Sequence, residues 1–222
     1  MLTVHHLDNS RSQRILWMLE ELGVEYEIVE YKRNKDTMLA PPALRAVHPL
    51  GKSPVVTDGG LTLAESGAIL EYLVERYGNG RFVPPRDTPE YLRYRYWMHY
   101  AEGSAMPPLL LKLVASRIAN AKVPFFVKPI TRKIAGSLES EFVDPQLELH
   151  FSYIAKELEA TGWFADDAFT AADVQMSFPI EAGAKRAGAE SKPSIRDYLE
   201  RIHARPAYQR ALARGGEFTL FG

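Results

Sequence analysis

The stretch LTVHHLDNSRSQRILWMLEELGVEYEIVEY (residues 2–31) decides the architecture. Leu2–His6 is a short strand, Leu7-Asp8-Asn9-Ser10 a polar loop, and Ile15, Leu16, Leu19 and Leu22 mark one face of a helix that stops at Gly23. Tyr26–Tyr31 reads as a second strand. Strand, helix, strand over so short a span is a βαβ unit, whose two strands run parallel with a right-handed crossover.

Outward from this unit, Pro41-Pro42 opens a short helix over Ala43–Val47, and Val55-Val56 and Leu61–Leu63 flank Asp58-Gly59-Gly60, a tight hairpin signal. Ser66–Tyr77 carries Ile69, Leu70, Leu73 and Tyr77 on one face and closes at Gly78. The order βαβ–α–ββα predicts a four-stranded mixed sheet with helices packed on it, an α/β domain over residues 1–80. NGRFVPPRDTP, residues 79–89, is punctuated by Gly and Pro, so residues 81–89 read as a linker. Beyond it the pattern turns helical: Glu90–Leu113 kinked at Pro107-Pro108, then Phe125–Glu139, Pro145–Thr161, Ala171–Arg186, Ser194–Ala204 and Ala207–Arg214. Residues 90–222 are therefore expected to form an all-α domain.

Composition removes several classes of function. With 222 residues, 46% of them apolar, the chain can fill a sizeable core, so disorder is excluded as its main state. Lys+Arg 27 against Asp+Glu 28 gives a net charge of −1, which leaves capture of nucleic acid or an anionic membrane without an electrostatic basis. No apolar run reaches the ~20 residues that cross a bilayer, and the N-terminus lacks a basic-then-apolar signal pattern; the expectation is a cytoplasmic protein. Cysteine is absent, which excludes disulfide frameworks, thiolate zinc sites, cysteine nucleophiles and dithiol redox chemistry. The six histidines never fall at the i, i+4 spacing of a helical metal pair, so no metal site is expected.

Four local features carry a resemblance. LDNSRSQRILWMLEELG (7–23), HPLGKSPVV (48–56), ESGAIL (65–70) and FTAADV (169–174) are similar, in order and spacing, to segments of the cytosolic glutathione S-transferases. The first resembles the serine-type bacterial and fungal group, whose loop reads Leu-Asp-x-Ser-Arg. The resemblance implies a thioredoxin-like N-terminal domain that binds glutathione, an all-helical domain with a pocket for the second substrate, and a homodimer.

It also implies roles for particular residues. Ser10 is expected to donate to the glutathione sulfur, with Asn9 and Ser12 as alternatives and His5 and His6 ranked low. A hydroxyl at a helix start can stabilise an anion together with the helix dipole, although Ser10 and Ser12 taken alone read as helix N-caps. Ser53-Pro54 matches the family's cis-proline, which would present the main chain of Ser53 to the cysteine residue of glutathione. Lys52, or a distal arginine, would hold the glycyl carboxylate, and Glu65 and Ser66 the γ-glutamyl end. Tyr100, Ser104 and Met106 are expected to line the second-substrate pocket, on a helix whose aromatic residues exceed what one face can bury. Thr170-Ala171-Ala172-Asp173 is a capping box, so Asp173 belongs to stability. The implied activity is conjugation: a thiolate formed from glutathione as co-substrate, without a metal or redox cofactor, attacks a hydrophobic electrophile. Alternatives on the same scaffold are a glutathione-binding interaction module, or a glutathione-dependent peroxidase, reductase or isomerase.

Overall fold

A computed structural model describes residues 1–34, 37–216 and 218–219; the last three residues of the expected helical domain, 220–222, lie outside the described ones. The N-terminal unit is β1 (Thr3–Leu7), α1 (Ser12–Leu22), β2 (Glu27–Tyr31), α2 (Pro42–Val47), β3 (Val55–Asp58), β4 (Leu61–Ala64) and α3 (Ser66–Tyr77). The sheet order is β2-β1-β3-β4, with β1 parallel to β2 and antiparallel to β3. The crossover through α1 makes the first pairing parallel. Gly59 and Gly60, at φ 53° and 90°, supply the left-handed turn that folds β3 back on β4.

α1 is buried along almost its whole length because it has partners on two sides: the sheet, and the helices of the second unit. It ends where Gly23 takes φ 70° and its N–H closes on the Leu19 carbonyl.

The second unit comprises α4 (Pro89–Tyr100), α5 (Met106–Ala119), α6 (Lys128–Leu138), α7 (Asp144–Thr161), α8 (Ala171–Ala187), α9 (Pro193–His203) and α10 (Pro206–Gly215). The long helix expected over Glu90–Leu113 is two helices joined by a π-helical turn, Ala101–Ala105. The break precedes the two prolines instead of falling on them. Pro107 and Pro108 occupy the first turn of α5, where proline's missing N–H is tolerated, and the turn before them is widened, the Met106 N–H reaching back to the Ala101 carbonyl.

Thr170 and Asp173 form the expected capping box. Asp173 also reaches beyond it, accepting from the Phe164 N–H at 3.0 Å, while Tyr198 donates to its carbonyl at 2.7 Å. The two units are clamped along α1: Arg205 pairs with Glu21 at 2.5 Å, Arg210 with Glu20 at 2.8 Å, and the Arg14 guanidinium donates to the Gln175 carbonyl at 2.5 Å. Among the described residues, no helix is long and apolar enough to cross a membrane.

Candidate active site

Between β1 and α1 the chain turns at Asn9, a non-glycine residue at φ 46°, and delivers Ser10 to the mouth of α1. Ser10 is 5% exposed. Its Oγ accepts the Ser12 N–H at 3.2 Å, lies 2.8 Å from Ser12 Oγ and 3.2 Å from Ser53 Oγ. Ser10 thus satisfies an otherwise orphaned N–H at the start of the helix, as an N-cap does, and still borders open space. Ser12 has no exposed surface; its hydroxyl faces His6 Nδ1 at 2.8 Å. Asn9 turns its amide oxygen to the main-chain N–H of Thr219, 2.8 Å away. Of the three candidates for the sulfur, Ser10 has its hydroxyl at the cleft and Ser12 has none of its surface there.

A cavity of ≈ 400 Å³ is bordered by Ser10, Lys52 and Ser53 on one side and by Leu110, Leu113 and Phe178 on the other. A second depression of ≈ 260 Å³ continues past Ser53 and Pro54 to Glu65 and Ser66. The Ser53–Pro54 peptide is cis, as expected. Ser53 precedes the β3 ladder, which begins at Val55 opposite His5, and its hydroxyl donates to the His5 carbonyl at 3.3 Å. Lys52 is exposed and carries no hydrogen bond or ion pair among the described residues. Glu65 sits at φ 73° where β4 gives way to α3. His48 Nδ1, on the wall of the second depression, is buried without a partner among the described residues. Lys52, Ser53, Pro54, Glu65 and Ser66 are therefore brought together around one continuous cleft.

Beneath Ser66 lies a charged cluster that the sequence did not announce. Arg14, 2% exposed, donates to Ser66 Oγ at 3.0 Å and to Glu102 Oε1 at 2.6 Å. Arg11 grips the same carboxylate with two N–H groups, at 2.9 and 3.0 Å. Burial works against the charge on Glu102, yet the Arg14 and Arg11 guanidiniums outweigh it and hold the carboxyl down at about 2. Burial likewise brings Arg14 down to about 10, with Glu102 opposing. The Ser66 hydroxyl accepts from Arg14 and keeps its own hydrogen, so the start of α3 offers that hydrogen together with its main-chain N–H groups.

The expected second-substrate residues separate. Tyr100 belongs to the core: its hydroxyl meets His150 Nδ1 on α7 and its ring packs on Trp97 and Tyr153. Ser104 is not on the wall of this cleft, whereas Met106 lines an apolar cavity of ≈ 330 Å³ with Pro107, Leu109, Leu110 and Leu113. The π turn explains the position of Ser104. Glu102, Met106, Leu110 and Leu113 line the cavity at ordinary helical spacing, but the one extra residue in the turn puts Ala105, and not Ser104, on the buried face after Tyr100. A helical wheel of constant period cannot register that shift.

Residues 1–75 match the family model for the glutathione S-transferase N-terminal domain and residues 114–206 that for the C-terminal domain. The chain is 41% identical to glutathione S-transferase 3 of Schizosaccharomyces pombe, covering 99% of this chain and 90% of the relative. It is 32% identical to glutathione S-transferase 1 of Saccharomyces cerevisiae over 98% of each chain. A solved glutathione S-transferase of Actinobacillus pleuropneumoniae superposes with a TM-score of 0.81 at 35% identity, covering 99% of this chain and 95% of the other. With both domain models matched and two full-length fungal relatives, the chain belongs to the glutathione S-transferase family.

Proposed function

We propose that the cleft holds glutathione with its sulfur at Ser10, ionises the thiol, and presents the thiolate to a hydrophobic electrophile seated against Met106, Leu110 and Leu113. The observation that carries this is the position of Ser10: a nearly buried hydroxyl at the start of α1, on a cavity wall facing Lys52 and Ser53 on one side and leucines on the other.

The tripeptide has a partner for each charged end. Lys52 offers an ammonium to the glycyl carboxylate, the main chain of Ser53 beside Pro54 pairs with the cysteine residue, the N–H groups opening α3 receive the γ-glutamyl carboxylate, and Glu65 takes its ammonium. A free thiol has pKa ~8.5, and lowering it by ~2 units requires about 2.7 kcal/mol of preference for the anion. One charge-assisted hydrogen bond with the positive end of a helix supplies energy of that order. Glutathione is a co-substrate, and the scheme calls on no metal or redox cofactor. A cytoplasmic location, where glutathione is kept reduced, suits it. A homodimer is part of the proposal; exposed Leu50, Leu92 and Tyr96 supply apolar surface for it.

The test is conjugation of glutathione to an aryl halide by wild type and Ser10→Ala. The expected result is a loss of kcat/KM of about a hundredfold with glutathione binding retained. Equal rates would remove Ser10 from the chemistry, and binding without turnover on aryl halides, epoxides and hydroperoxides alike would make the protein a binding module.

A further inference from the structure

Behind Ser10 runs a chain of hydrogen bonds whose direction can be read from its far end. His6 Nε2 lies 2.9 Å from the Gly215 carbonyl, which only accepts, so Nε2 carries the hydrogen. In the neutral ring Nδ1 is then bare and accepts the Ser12 hydroxyl at 2.8 Å, a closer partner than the Leu7 carbonyl at 3.4 Å. Ser12 Oγ, its own proton committed, offers a lone pair to Ser10 at 2.8 Å. Ser53 spends its proton on the His5 carbonyl. The Ser10 proton then has two acceptors, Ser12 Oγ at 2.8 Å and Ser53 Oγ at 3.2 Å; in the free protein it takes the nearer, inward one, and a lone pair faces the cleft. Such a hydroxyl accepts from a thiol; it does not donate to a thiolate.

We propose that His6 receives the proton of the bound thiol through Ser10 and Ser12, and that its protonation is what turns Ser10 into a donor; this rests on Ser10 being the sulfur's partner. The S–H proton passes to Ser10 Oγ, the Ser10 proton to Ser12 Oγ, and the Ser12 proton to His6 Nδ1. Three bonds to hydrogen break and three form, and no proton leaves the protein. The products are a thiolate and an imidazolium, with both hydroxyls reversed so that Ser10 now donates to sulfur.

The surroundings of His6 suit a ring that is neutral in the free protein and charged in the complex. Burial holds it below its ordinary value, opposed by the bond to Gly215 and by the carboxylates of Glu30 on β2 and Asp8 after β1. Gly215 is the last residue of α10, so its carbonyl belongs to the negative end of a helix dipole, which favours imidazolium. The approach is close: a Cβ at Gly215 would lie 2.5 Å from Leu16 Cδ1 and 2.7 Å from Gln13 Oε1, so those side-chain ends would have to shift to admit one. On the remaining side, α1 presents Ser12. His6 acts through the two serines and is a positioning residue and proton store, not a group that touches substrate.

The test is nitrogen NMR of histidine-labelled protein, with the His6 signal assigned by its loss in His6→Asn, alongside ultraviolet thiolate absorbance and the protons released to buffer on binding. With glutathione near neutrality, the expected result is a thiolate, a doubly protonated His6 and little net proton release; S-methylglutathione leaves His6 neutral. His6→Asn keeps an acceptor for Ser12 without a basic nitrogen. Its expected result is a thiolate that forms only with release of a proton, and about threefold less of it at pH 7, the effect of a one-unit rise in thiol pKa from ~6.5 to ~7.5. A thiolate in wild type beside a neutral His6, with a full proton released, would overturn the relay and leave Ser10 as thiol partner. No thiolate in wild type would overturn both. Should His6→Asn fail to fold, the wild-type complex still decides, with signals assigned through bonds.

Discussion

Arg14 and Ser66, 52 positions apart in the chain, are joined by one guanidinium N–H at 3.0 Å, and another contact of the same NH2 group reaches Glu102 on the second domain at 2.6 Å. The start of α3, where the γ-glutamyl end is proposed to bind, is thereby tied to the domain interface. Glutathione affinity and domain docking are expected to respond together when this link is cut.

Arg14→Met keeps much of the side chain's volume and removes its charge, leaving Ser66 without its donor and Glu102 with Arg11 alone. A broken buried ion pair costs about 3 kcal/mol, so the urea midpoint is expected to fall by that equivalent and KM for glutathione to rise. Arg14→Lys recovers part of the stability but not the two-partner geometry, because an ammonium lacks the guanidinium's planar fork. Equilibrium unfolding and steady-state kinetics on the two variants check both statements.

Acid should loosen the same joint. The Glu102 carboxyl is held at about 2, below its ordinary 4.5, so the stability it confers is complete above the ordinary value and is lost as pH falls from about 4.5 toward about 2. Stability measured across this window in wild type and Glu102→Gln is expected to show a steeper acid loss in wild type. Parallel curves would contradict the assignment.

Asp173→Ala removes the acceptor for the Thr170 N–H at 2.8 Å and the Phe164 N–H at 3.0 Å, both in the buried interior of the helical domain. Two orphaned donors and a lost cap amount to about 3 kcal/mol or more, which in a chain of this size is a fall of roughly 10 °C in Tm. The kcat of the fraction that folds is expected to stay near the wild-type value, since Asp173 lies away from the cleft.

Leu110→Ser and Leu113→Ser place a hydroxyl on the apolar side of the cleft. KM for a hydrophobic aryl halide is expected to rise by about tenfold, the worth of one side chain's contact, with KM for glutathione nearly unchanged. Tyr100→Phe is expected to change neither, because its hydroxyl meets His150 in the core; its signature is a small loss of stability.

The parts of this protein that were legible in its sequence are those set by local rules. Residues 2–31 announced the βαβ unit because alternation, a polar loop, a helical apolar face and Gly23 each have a short-range cause. Thr170 and Asp173 announced their capping box by spacing alone. Ser10, Lys52, Ser53, Glu65 and Ser66 came from the resemblance, and they meet around one cleft. The offset between Tyr100 and Ser104 was not legible because a π turn is invisible to a periodic pattern. Arg14 and Glu102 were missed because their pairing spans 88 positions and one of them sits on a helix whose other residues read as core. His6 was ranked low because strand alternation says only which face a side chain takes; its distance from Ser10 through Ser12 depends on how the loop closes.

The central claim is that Ser10 and the start of α1 make the glutathione thiol anionic near neutrality, and the most direct measurement is the ultraviolet thiolate titration of glutathione bound to wild type and to Ser10→Ala. The expected midpoint in wild type lies ~2 units below that of a free thiol, ~8.5, and returns most of the way in the variant. A bound thiol that titrates in wild type as it does in plain buffer would contradict it.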